Sequence, residues 1–164
     1  IYNRAVEESY TEQKHPFKKV FVGNDKTIKR AIDEDVISRL KTLDLSSKPR
    51  LAFSRDMFMF SFYARGMAFI DLAYLTKENI QGEYIIYRRH KTGQLMRVGM
   101  NRQIIRILTK YENTVGEYVF PLFTEEQEPY AGYKNAYHKI RYALKKISCS
   151  LGLSTPLRLS LIHI

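Results

Sequence analysis

The chain has 164 residues, 45% of them hydrophobic with 12 Tyr and 9 Phe, which suffices for one ordinary core and excludes a disordered chain. Its single cysteine, Cys149, excludes a disulfide framework and a cysteine-based zinc site, and it fits a reducing, cytoplasmic compartment. Lys and Arg number 27 against 17 acids, a net charge of +10. The richest apolar stretch, Leu51 to Leu75, holds Arg55, Asp56, Arg65 and Asp71, so it reads as buried core rather than a membrane span. No basic segment leading into an apolar run opens the chain, so no signal peptide is expected.

In chain order, Ile1 to Gln13 is polar and helix-compatible, and an element should stop at His15-Pro16 because proline disfavours helix in the residue before it. Pro16 to Arg30, with Gly23, Asn24 and five basic residues, reads as a linker or irregular arm. Asp33 suits an N-cap, and Val36, Ile37, Leu40 and Leu43 follow at helical spacing until Ser46-Ser47. Pro49 suits the first turn of the next helix, which runs to about Tyr63 and is apolar on nearly all sides, the mark of a central helix. Gly66 interrupts the pattern, and a second apolar helix covers Ala68 to about Leu75. A strand pair follows: Tyr84–Arg89, a turn at His90-Lys91-Thr92-Gly93, and Leu95–Met100. Asn101 should cap a helix that turns Ile104, Ile105 and Leu108 inward, with Arg102, Arg106 and Lys110 on another face. An acidic surface loop to Pro129 surrounds the apolar plug Val119-Phe120-Pro121-Leu122-Phe123. Tyr137, Ile140, Leu144, Ile147 and Leu151 then define one face of a long amphipathic helix ended by Gly152, with Lys134, His138, Arg141 and Lys145 on the other side. The expected fold class is mainly α with a small antiparallel β-sheet, the hairpin being embedded in a helical domain.

The charge is unevenly spread. Tyr84 to Tyr111 carries seven basic residues (Arg88, Arg89, Lys91, Arg97, Arg102, Arg106, Lys110) and no acid. Pro129 to Ile164 carries six (Lys134, Lys139, Arg141, Lys145, Lys146, Arg158) and again no acid. Solubilising surfaces usually mix signs, so two acid-free basic segments point to phosphate-bearing partners.

The segment Phe60-Ser-Phe-Tyr-Ala-Arg65-Gly-Met-Ala-Phe-Ile-Asp71-Leu-Ala-Tyr-Leu75 resembles the first active-site box of the tyrosine recombinases (phage-integrase family). About twenty residues on, Tyr87-Arg-Arg-His-Lys91-Thr-Gly-Gln-Leu-Met-Arg-Val98 is similar to that family's β-hairpin, whose turn lysine enters the cleavage site. The wording of both boxes is similar to integrases of Bacteroides-type mobile elements, and the likeness spans roughly Lys29 to Pro156. The resemblance implies a tyrosine-recombinase catalytic domain: a tyrosine attacks a scissile phosphate to give a 3′-phosphotyrosyl link, two arginines hold the non-bridging oxygens, and a lysine protonates the leaving 5′-oxygen. Neither a metal nor any other cofactor is implied. Double-stranded DNA is the implied partner, with self-association on it in the full-length protein and nucleoid association when acting.

The resemblance assigns catalytic roles to Arg65 and Lys91, and DNA-contacting roles to Arg88, Arg89, Arg97, Lys139 and Arg141. Without it, Lys91 would read as a solvated turn lysine. Arg65 stands three residues ahead of the position, Ala68, at which the family places its first arginine. It can reach the same phosphate if the chain is helical there; alternatively Arg88 or Arg89 supplies that charge. Arg88 and Arg89 should fall on opposite sheet faces. Asp71 either orients an active-site arginine or pairs locally, the structural role being preferred. His138-x-x-Arg141 spells the second active-site box but lies mid-helix, so it reads as a solvated basic face, and Tyr133 and Tyr137 fit a core face rather than the nucleophile.

After Pro156-Leu157 the family would continue into His-x-x-Arg and then the tyrosine, whereas here the sequence reads Arg158-Leu-Ser-Leu-Ile-His-Ile164. The expected organisation is thus the end of a core-binding domain and a linker over 1–22, the front of a catalytic domain over 23–157, and an atypical tail over 158–164. A truncated or frame-disrupted chain that binds DNA without forming covalent adducts is the expectation; a non-catalytic basic DNA-binding module is the alternative.

Overall fold

The computed structural model describes residues 2–14, 32–122 and 129–159. The expected linker Pro16–Arg30, the acidic residues Glu125, Glu126 and Glu128, and residues 160–164 lie outside the described residues. The described residues form six helices, α1 (Tyr2–Glu7), α2 (Glu34–Thr42), α3 (Pro49–Tyr63), α4 (Phe69–Ala73), α5 (Arg102–Lys110) and α6 (Pro129–Ser150), and a sheet of strands β1 (Ile80–Gln81), β2 (Tyr84–Arg88) and β3 (Leu95–Gly99). The sheet is antiparallel in the order β1-β2-β3. This is the mainly α fold with a small antiparallel sheet that the sequence implies. Among the described residues no helix is long and apolar enough to cross a membrane.

Helix α3 is the axis. It starts at Pro49, whose missing N–H is one that a first helical turn leaves unsatisfied anyway, and it packs against both α5 and α6. Met57, Phe58, Met59 and Phe60 are all buried, as a helix covered on several sides requires. Polar groups caught inside are satisfied locally: Ser54 Oγ donates to the Arg50 carbonyl at 2.9 Å, and Ser61 Oγ to the Met67 carbonyl at 2.6 Å. Asp56 is the buried charge. Its Oδ1 accepts from Arg55 Nε and Nη2 at 3.2 and 3.1 Å, and its Oδ2 accepts from Lys110 Nζ at 2.5 Å and the Tyr111 hydroxyl at 2.8 Å. One carboxylate thereby bolts α5 to α3.

Several elements differ in detail from the pattern in the sequence. Asp33 occupies the N-cap of α2 without making a side-chain cap bond, and α2 ends at Thr42, ahead of the turn at Ser46-Ser47. Helix α4 is shorter than Ala68–Leu75, because Ala68 is still extended (φ −63°, ψ 148°) and acts as its N-cap. In α5, Asn101 Oδ1 accepts from the Gln103 and Ile104 amides as a cap should. Ile104 is fully buried, but Ile105 is 49% exposed, contrary to the expectation that it faces inward. Successive helical residues diverge by roughly 100°, so with Ile104 at the centre of the packed face it is Ile107 and Leu108 that flank it. Strand β1 and the 3₁₀ turn Lys77–Asn79 were not expected; two residues are too few to show a period of two. Gly152, at φ +64°, ends α6 in the left-handed conformation.

Phe60 is fully buried and meets Phe120 edge-on at 4.9 Å. Phe60→Ala should cost about 3–5 kcal/mol in urea unfolding. Burial, and then the bond to Asp56, push the Tyr111 phenol well above its ordinary value of 10.0. Its contribution to stability is therefore complete below pH 10 and is lost as pH climbs beyond that value. The urea midpoint should fall on the alkaline side of pH 10, and Tyr111→Phe should remove part of that pH dependence.

Candidate nucleic-acid interface

The hairpin forms where expected, and its register sets Arg88 opposite Leu95 and Ile86 opposite Arg97. Arg89 N–H donates to the Gln94 carbonyl at 2.9 Å and Gly93 N–H to the Arg89 carbonyl at 2.7 Å, which closes a turn over His90-Lys91-Thr92-Gly93. Gly93 sits at φ +68°, a conformation that favours glycine. Lys91 stands exposed in this turn. The two faces of the ribbon differ as alternation demands. Ile85, Tyr87 and Val98 are buried, while Arg88 and Arg97 project from the other side; Arg97 lies over the Tyr84 ring at 3.7 Å and Arg88 Nη1 donates to the Gly93 carbonyl at 3.2 Å. Arg89 is half-buried, and Tyr87 feels its charge together with that of Asp71. Burial first, then Asp71, hold the Tyr87 phenol above its ordinary value, with Arg89 pulling the other way.

Asp71 ties this turn to the body. Its carboxylate, 3% exposed on α4, accepts the His90 amide at 2.8 Å and faces His90 Nδ1 at 3.1 Å, both through Oδ1. The residue immediately before Lys91 is thus gripped twice by one oxygen. Oδ2 is buried with no partner among the described residues, so the carboxylate keeps capacity for a further donor. The preferred structural role of Asp71 agrees with this pairing, although its partner is nineteen residues away rather than local.

A ladder of rings continues inward from the turn. His90 lies on Tyr74 at 5.3 Å, Tyr74 on Tyr133 at 6.1 Å, and Tyr133 on Tyr137 at 6.4 Å, with Phe69 against both α6 tyrosines at 5.6 Å. Tyr133 and Tyr137 pack on the core, and burial raises the Tyr133 phenol above its ordinary value. The ladder fixes the hairpin relative to α6, whose Lys139 and Arg141 are exposed. Arg141 and its neighbours His138, Tyr142 and Lys145 border a groove of about 530 Å³ whose far side is Pro156, Leu157 and Arg158. The Leu157 amide donates to Ser148 Oγ at 2.8 Å, and Leu157 and Leu159 are buried, which holds that far side in place.

Arg65 is not in a helix, so the helical premise for its reach fails. α3 ends at Tyr63; Arg65 N–H bonds to the Phe62 carbonyl at 3.2 Å and Gly66 N–H to the Ser61 carbonyl at 2.9 Å. That is a Schellman closure with Arg65 at the left-handed position, φ +59°, where glycine is the usual residue. Its exposed guanidinium makes no hydrogen bond or ion pair among the described residues.

No family model and no curated protein matches the chain. Solved structures do. A lambda integrase dimer bound to a COC′ core site aligns with 99% of the chain at a TM-score of 0.65 and 15% identity. A lambda integrase tetramer bound to a Holliday junction aligns with 99% at 0.65 and 14%, and XerA recombinase aligns with 84% at 0.55 and 16%. The fold is that of the tyrosine recombinases. The chain spans 59%, 48% and 48% of those three chains in turn.

The hairpin brings Arg88, Arg89, Lys91 and Arg97 together on one ribbon, and Arg141 meets Arg158 across a groove; Lys139 and Arg65 stand apart from these. Sequence reasoning missed His90, although a histidine next to the turn lysine was a usable signal. It also missed Tyr74 and Arg158, whose roles depend on contacts between distant segments. Arg65→Gly should leave stability unchanged or raise it by up to about 1 kcal/mol, since it relieves a left-handed non-glycine residue. The same change should weaken binding to duplex DNA in fluorescence anisotropy; unaltered affinity would remove Arg65 from the interface. Asp71→Ala should speed amide hydrogen exchange across residues 89–94 while leaving α3 protected.

Proposed function

We propose that this chain is the DNA-gripping front part of a tyrosine-recombinase catalytic domain, acting in site-specific integration or excision of a mobile element. The observation that carries the reading is the Lys91 hairpin, anchored through His90 to a buried carboxylate and flanked by exposed arginines, on a recombinase fold. Lambda integrase and XerA recombinase supply the fold comparison, and the lambda integrase structures were obtained on a core site and a Holliday junction. On this reading Arg65 approaches the non-bridging oxygens of the scissile phosphate, where an always-protonated planar fork matches developing negative charge, and Arg89 meets a neighbouring backbone phosphate. Lys91, on an exposed turn fixed only at its base, donates a proton to the leaving 5′-oxygen. Arg88, Arg97, Lys139 and Arg141 meet backbone phosphates on either side. Strand cleavage on this reading uses a tyrosine nucleophile and a His-x-x-Arg box, neither of which stands between Pro156 and Ile164.

The test is a suicide substrate carrying a nick beside the scissile phosphate. This chain should bind it with a salt-dependent affinity and form no covalent adduct; a phosphotyrosyl adduct would overturn the division of labour proposed here. In a longer chain that carries the second box and the tyrosine, Lys91→Ala should slow cleavage by about 10²–10⁴-fold, the usual worth of a general acid, while most of the affinity remains. Affinity that ignores salt would remove DNA as the partner altogether.

A further inference from the structure

A second cationic pocket lies away from the hairpin, where α2, α3 and α5 meet. It has a volume of about 260 Å³, and its rim carries Lys41, Arg55, Arg106 and Lys110 against a single acid, Asp56. Asp56 has no capacity left, because Arg55 takes Oδ1 while Lys110 and the Tyr111 hydroxyl take Oδ2. Arg55 is further engaged by the Leu43 carbonyl at 2.8 Å. Lys41 and Arg106 are therefore left with exposed, uncompensated charge; Lys41 Nζ lies 5.7 Å from the Tyr63 ring centroid, and neither cation has an acidic partner among the described residues. Tyr63 also lines the pocket, and its hydroxyl is buried without a partner among the described residues. Like charges gathered around a concave space repel one another and focus a positive potential into it.

We propose that this pocket is a binding site for a phosphate group, with Lys41 and Arg106 as its free donors. Three helices supply its walls, so the donors are set by α3 packing against α5, and the Asp56 bolt holds Arg55 and Lys110 in position behind them. A phosphate group accepts from a planar guanidinium and an ammonium at once. The phosphate belongs either to the backbone of a bound nucleic acid or to a free phosphorylated ligand, and both share the chemistry this pocket recognises. The inference does not rest on recombination, since it needs neither Lys91 nor a scissile site.

The test compares the whole chain with the double variant Lys41→Gln/Arg106→Gln. Both positions are exposed, so the fold should survive. Inorganic phosphate, titrated at ionic strength matched with chloride, should raise the Tm of the parent and move the Arg106 Nε–H resonance, and both effects should vanish in the double variant. A second double variant, Lys145→Gln/Lys146→Gln on α6, should retain both. With duplex DNA, a fall in the slope of log K against log salt by about 0.9 per lost phosphate contact assigns the phosphate to the nucleic-acid backbone. An unchanged slope beside a lost phosphate response assigns it to a free ligand. A phosphate response absent from the parent, or one that persists in Lys41→Gln/Arg106→Gln and disappears only in the α6 variant, would overturn the proposal.

Discussion

Burying a carboxylate costs several kcal/mol unless donors replace the water it loses, and that constraint shapes both working ends of this protein. Asp71 recovers its cost by holding the amide and ring of His90, which places the hairpin turn beside α4. Asp56 recovers its cost by holding Arg55, Lys110 and Tyr111, which places α5 beside α3. Each acid sits in an apolar helix and reaches a basic segment far along the chain. Without Asp71 the Lys91 turn would be joined to the body only through strand pairing and the ring of His90 on Tyr74.

The two carboxylates differ in how completely they are used. Asp56 is saturated, so the cations around it that it does not touch keep their charge for something else. Asp71 retains one buried oxygen without a donor. An acceptor of that kind near Tyr87 has capacity for a further cationic or N–H donor, while the Lys91 turn remains exposed. The basic segments are thereby divided into residues that hold the fold, such as Arg55 and Lys110, and residues that remain outward, such as Arg88, Lys91 and Arg97.

Much of this was legible in the sequence. The all-round apolar run from Pro49 to Tyr63 marked the central helix, the β-branched stretch and Lys-Thr-Gly turn marked the hairpin, and the heptad-like spacing from Tyr137 to Leu151 marked α6. Arg88 and Arg89 follow the strand alternation, one outward and one half-buried. What stayed hidden depends on distance along the chain. The pairing of Asp71 with His90 spans nineteen residues, that of Asp56 with Lys110 spans fifty-four, and no local period encodes either. The inward choice between Ile105 and Ile107 also depended on where α3 lies, which α5 alone does not record.

Arg65 shows how a local rule can fail. The segment Ser61 to Met67 closes α3 with the bonds of a Schellman turn, and Gly66, itself at φ +75°, stands one residue after the left-handed position that Arg65 occupies. The chain accepts an arginine there at a cost on the order of 1 kcal/mol, because Ser61 Oγ and the Gly66 amide over-determine the turn. At Ala68, the extended N-cap of α4 (φ −63°, ψ 148°), an arginine would avoid the left-handed conformation, but its direction would be set by the start of α4 instead of by the turn. The backbone position of this arginine is therefore fixed by the closing bonds at the end of the central helix.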